Sequence, residues 1–114
     1  MKRVIYAGSH FVTGDEIAAA LMRYSEALAE VGQAETVTVP AVDEDGSRTG
    51  VLVLVGPASQ IMAQDIATEL DEFVDPEAVA YLEAKTRRLT PRAVLDTDPP
   101  PVPEWEDDSS ADAI

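Results

Sequence analysis

A chain of 114 residues holds one domain with a single modest core. It contains no cysteine, which excludes a disulfide framework, thiolate zinc sites and thiol catalysis. Its net charge of −14 argues against direct binding to nucleic acid, whose phosphates it would repel.

Residues 2–7 (KRVIYA) read as a short β-branched and aromatic strand, stopped by Gly8-Ser9. A helix is expected next. Thr13 is placed as its N-cap with Glu16 three residues on, the spacing of a capping box. Ile17, Leu21, Tyr24, Leu28 and Val31 recur at helical spacing and form one apolar stripe. Gly32 supplies a left-handed stop.

Residues 35–39 alternate polar and apolar, which predicts a strand with one face on the core. Pro40 lacks a ladder donor and marks it as an edge. Asp43-Glu44-Asp45-Gly46-Ser47 is a polar turn. Residues 50–56 (GVLVLVG) read as a strand apolar on both faces, and therefore central. The polar stretch between these strands is too short for a crossover helix, so they form an antiparallel hairpin. A right-handed crossover through the first helix makes the first strand parallel to the second. The expected fold class is α+β: a β-α-β-β sheet with C-terminal helices packed on it. Helix is expected from Pro57, carried by Met62, Ile66, Leu70 and Phe73. It restarts at Asp75-Pro76 and runs on to Leu89.

Residues 1–95 form the expected domain and 96–114 a disordered, proline-rich, acidic tail. That tail carries seven acids and no base, half of the excess negative charge. It also holds Trp105, the single tryptophan, placed after prolines and among Glu104, Glu106 and Asp107. An aromatic in that setting is a candidate anchor for a partner's pocket, or folds back onto the domain's own sheet. Lys85, Arg87, Arg88 and Arg92 gather half of the bases near the end of the last helix. They suit the helix dipole and offer a contact for the tail.

Candidate sites are few. Gly8, Ser9, His10 and Thr13 lie where the first helix would begin, a place where amides converge on anions. The glycine spacing is not that of a P-loop and no lysine follows. Gly8-Ser9-His10 before an alanine-rich helix, with residues 50–54 and Ala58-Ser59, resembles the phosphotransferase domains of the mannose-type sugar-uptake and dihydroxyacetone-kinase systems. The resemblance implies that His10 accepts a phosphoryl group. That fold has a second helix for which residues 42–50 leave no room, and a plain loop histidine is the favoured reading. The acidic turn fails the frame of a calcium loop, because Arg48 and Leu54 stand where glycine and glutamate are needed. Asp65, Glu69 and Glu72 belong to an acidic run that reads as a solvated helix face or as a docking surface.

The leading expectation is a non-enzymatic interaction or regulatory protein that binds another protein through its acidic surface, its tail or both. The alternatives are a small-molecule or phosphoryl-transfer domain centred on His10, and a DNA-mimic inhibitor of a nucleic-acid-binding protein. No metal and no cofactor are expected. No membrane contact is expected either, since the longest apolar run, residues 51–55, is far short of a span. With no apolar leader, the expected location is the cytoplasm. A sheet covered by helices on one face only would be completed by a partner, so a homodimer is a reasonable expectation.

Overall fold

The computed structural model describes residues 1–89. In chain order the elements are β1 (Lys2–Tyr6), β2 (Ser9–Thr13), α1 (Asp15–Val31), β3 (Glu35–Val42), β4 (Arg48–Val55), β5 (Ile61–Asp65) and α2 (Pro76–Leu89). The fold is α+β, as expected, but the sheet has five strands in the order β4-β3-β2-β1-β5, antiparallel at every junction. The boundary at residues 95/96 and the tail lie outside the described residues.

The expected hairpin of the second and third strands forms as β3–β4, in register from Glu35–Val55 to Val42–Arg48. Three other expectations are corrected. First, the first strand stops before Gly8 as expected, but a second strand and not the helix comes next. Ala7 and Gly8, at φ 53° and 82°, form a primed two-residue turn that folds β2 back onto β1. β1 does run in the direction of β3, yet β2 stands between them. Second, β4 is an edge, not the centre. Third, residues 61–65 form strand β5 beside β1 rather than a helix.

Pro40 shows why β3 tolerates a proline inside the sheet. β2 meets β3 only at Val12–Val42. Beyond that point the side of β3 facing β2 has no ladder for the missing N–H to serve. The Pro40 carbonyl is satisfied instead by the Thr13 hydroxyl, which donates to it at 2.7 Å. Thr13 is therefore a buried link between two ladders and not an N-cap.

At the start of α1 the side-chain cap comes from far along the chain. Gly14 takes the N-cap position without a side-chain bond of its own. Glu72 Oε2 accepts the Asp15 N–H at 2.6 Å, and Glu72 Oε1 accepts from the Met1 ammonium at 2.8 Å. The other end follows the sequence reading. Gly32 is left-handed at φ 69°, and Gly32 and Gln33 donate back to Ala29 and Leu28.

Ile17, Leu21, Tyr24 and Leu28 of α1 are fully buried against Val4, Val37, Val39, Val53 and Val55. α2 begins as the sequence indicates, with Asp75 Oδ1 accepting the Ala78 N–H. It lies on α1, with Leu82 in the same core. Both helices thus cover one face of the sheet.

Where α2 meets β3, the Tyr24 hydroxyl donates to Glu35 Oε1, and Lys85 Nζ sits 3.0 Å from the same oxygen. Burial, and then Glu35, push the Tyr24 phenol well above its ordinary range. The Tyr24 and Lys85 hydrogen bonds hold Glu35 below its ordinary 4.5, and the Met1 ammonium holds Asp15 below its ordinary 3.8. Groups whose pKa is lowered by folding stabilise the fold above their unfolded pKa, and that contribution is lost as pH falls through the folded pKa. The melting temperature should therefore be flat from neutrality to about pH 5 and fall below it. Glu35→Gln should flatten the acid limb. An unchanged acid limb in that variant would remove Glu35 from the account.

Candidate functional site

Side chains alternate across each strand, so the registers assign every strand residue to a face. On the face turned away from α1, β1 presents Arg3 and Ile5. In register beside them, β2 presents Val12 and His10, and β5 presents Gln64 and Met62. β3 contributes Thr36 and Thr38, and β4 contributes Leu52 and Leu54. No described helix covers this face. Leu52 is 71% exposed, Leu54 54% and Met62 51%. Apolar side chains left this open lose the stabilisation that burial would give them, about 25 cal/mol per Å².

The strands themselves set no carboxylate on this face, although Asp75 reaches Arg48 and Asp43 and Glu44 border it beside His10. The strands hold two acids, Glu35 and Asp65, and both point to the α1 side. Arg3, His10 and Arg48 supply its titratable groups. Arg48 is engaged at one end, 3.0 Å from Asp75 and 4.7 Å above the Phe73 ring. Arg3 is half-buried and pairs with no carboxylate among the described residues, and its Nε is buried without a partner. A guanidinium left without an anion in so acidic a chain is an unspent recognition element.

The sheet curls, and the curl makes a cleft. β4 and β5 are opposite edges of the sheet, yet only residues 56–60 join them. The Tyr6 hydroxyl donates to the Leu54 carbonyl, so β1 and the end of β4 approach each other. The seam between them is a cleft of about 870 Å³ whose walls include Ile5, Tyr6, Leu54, Ile61 and Met62, with no charged residue. Beside it runs the outer edge of β4. The Gly50–Pro40 pair cannot be a hydrogen-bonded one, because Pro40 has no N–H. The two-residue alternation then turns the backbone groups of Gly50 and Leu52 away from β3.

The residues singled out from the sequence fall as follows. His10 is exposed on β2, in a strand rather than in a loop before α1. Ser9 and Thr13 point to the opposite face from His10, and Gly8 sits in the hairpin turn. The four are therefore not gathered into one cradle. A second cleft, of about 510 Å³, has His10 on its wall together with Asp43 and Glu44, whose charge opposes an anionic phosphoryl donor. Asp65 pairs with Lys2, and Glu72 is committed to Met1 and the start of α1. Glu69 is exposed. Trp105, Glu106 and Asp107 lie outside the described residues. Among the described residues no group of three His, Asp or Glu side chains is placed to hold a metal ion, and no helix is long and apolar enough to cross a membrane.

Arg3, Ile5, Leu54 and Met62 were not singled out from the sequence as a site. The available signal was GVLVLVG, whose second apolar face asked for a cover. Comparison with known proteins adds no relative: no family model, no curated protein and no solved structure matches the chain.

Proposed function

We propose that this protein is a non-catalytic interaction module that binds a protein segment on its open sheet face, along β4 and into the seam cleft. One observation carries the reading: Leu52, Leu54 and Met62 stand exposed on a face that no described helix covers, and Arg3 on the same face has no anion among the described residues. Such a face suits an extended segment. The open β4 edge offers backbone groups, and the cleft offers a pocket for one large apolar side chain. The acidic groups elsewhere serve the fold in part, since Asp15, Glu35, Asp65, Glu72, Asp75 and Glu83 are each paired with a cation of the same chain.

Random-peptide phage selection on the immobilised full-length protein tests the reading. Selected peptides should bind the wild type and lose at least about tenfold in affinity on Leu54→Lys or Met62→Lys, as expected when an apolar anchor loses its pocket. Those substitutions fall at half-exposed positions and leave the core intact. If selection on the wild type and on Trp105→Ala alike returned no binder, or only binders indifferent to both substitutions, the open face would not be the binding surface.

A further inference from the structure

We propose that the open face is occupied by this chain's own C-terminal segment, with Trp105 in the seam cleft and a flanking carboxylate, Glu104 or Glu106, on Arg3. The inference rests on reading this face as a protein-binding surface. It names the chemistry that surface selects: an acidic segment bearing one large aromatic side chain.

Charge is the first argument. Residues 96–114 carry seven acids and no base, and the folded part of the chain is itself acidic. Most of the molecule's surface therefore repels that segment. On the open face the strands carry no carboxylate, the bordering Asp43, Glu44 and Asp75 lie toward His10 and Arg48, and Arg3 stands unpaired among the described residues.

Spacing is the second. Arg3 and Ile5 are two residues apart on one face of β1, about 6.6 Å at strand rise. Ile5 belongs to the wall of the cleft. An aromatic seated against Ile5 thus places its immediate chain neighbours within reach of Arg3, and the neighbours of Trp105 are both glutamates.

The point of departure is the third. Lys85, in the last part of α2, pairs with Glu35, and Glu35 is in register with Val55, next to Leu54 of the cleft. The chain therefore leaves α2 on the covered side of the sheet, toward the Glu35–Val55 end of the β3–β4 hairpin, and reaches the open face round that end. The residues between Leu89 and Trp105 span up to about 50 Å when extended, twice the length of α1 at about 25 Å. Reach does not limit the contact. A second copy of the chain fits less well. Laid face to face, two copies set one arginine-bearing face against another and leave both arginines without an anion.

The single tryptophan makes the test direct. Acrylamide quenching of Trp105 fluorescence is measured on the full-length protein, on the same protein in urea, and on Arg3→Glu, Leu54→Lys and Met62→Lys. Circular dichroism confirms that each variant folds. The expected result is strong protection with a blue-shifted emission in the wild type, unchanged on dilution. Each substitution should raise quenching to that of the urea-unfolded chain. Trp105 as exposed in the folded wild type as in urea would overturn the proposal. So would protection that all three folded variants retain. Protection lost on dilution would overturn it in favour of a second copy's segment. The outcome is separable from the wider reading. Peptides selected on Trp105→Ala that still require Leu54 would keep the interaction face while this occupant failed.

Discussion

Gly14→Ala is expected to destabilise the protein by about 3 kcal/mol, the upper end for forcing an extra methyl into a packed site. Gly14 has φ −74° and ψ 160°, a conformation open to any residue, so no dihedral cost enters. The effect is steric. A Cβ at this position would lie 1.8 Å from the Phe73 carbonyl oxygen and 3.0 Å from its carbon. Backbone cannot swing aside as a side-chain end can, and this stretch of backbone is pinned on both sides. Glu72 accepts from the Met1 ammonium and from the Asp15 N–H, and the Phe73 ring lies under Arg48. Moving Phe73 therefore loosens the start of α1, the N-terminus and the Arg48 contact together. For a domain of this size the melting temperature should drop by roughly 10–20 °C. Gly8→Ala is the control. Nothing lies within 4 Å of its Cβ position, and the cost is the left-handed φ of 82° alone, about 1 kcal/mol. Urea midpoints for the two variants should rank in that order. The reverse ranking would mean that residues 72–73 are not seated against the start of α1.

The same region shows why sequence reasoning reached only part of the fold. α1, its stop at Gly32, the β3–β4 hairpin and the Asp75-Pro76 start of α2 were legible because each is specified locally, by periodicity, a capping residue or a short polar turn. β2 was not, because its turn hides the signal. Hairpins of this length announce themselves by Asn-Gly or Asp-Gly, and here Ala7 takes the positive φ. β5 was not, because Met62, Ala63 and Gln64 favour helix intrinsically, and Met62, Ile66, Leu70 and Phe73 keep helical spacing. Pairing with β1 decides the outcome, and that contact spans most of the chain.

The candidate site was half legible. Residues 51–55 were rightly read as apolar on both faces, and the structure buries Val53 and Val55 while leaving Leu52 and Leu54 open. Placing β4 at the centre followed from assuming that both faces are covered within the chain's own fold. The isolation of Arg3 was beyond reach, since it depends on which carboxylates the sheet turns to the other side.

Leu82→Ala is expected to cost about 3 kcal/mol, and to do so unevenly. Leu82 is the fully buried residue of α2, at 1% exposure, with Val79 and Leu89 only partly buried beside it. The other ties of α2 to the body are weaker. Arg23 and Glu83, 3.2 Å apart, are both well exposed, which makes their pair worth at most about 1 kcal/mol. A helix of 14 residues is marginal by itself in water. Removing the Leu82 side chain should therefore release α2 before the sheet yields. Hydrogen exchange should show α2 amides losing most of their protection, while α1 and the β3–β4 ladder, packed through Val37, Val39, Val53 and Val55, keep theirs. A uniform loss across all elements would show instead that α2 and the sheet are one cooperative unit. The distinction bears on the open face. Release of α2 frees the pairing of Lys85 with Glu35, and with it the point from which the chain departs toward the Glu35–Val55 end of the hairpin. A variant with α2 loose and the sheet intact should then lose Trp105 protection although no residue of the cleft has changed. That would tie occupancy of the face to the docking of α2 through one buried leucine.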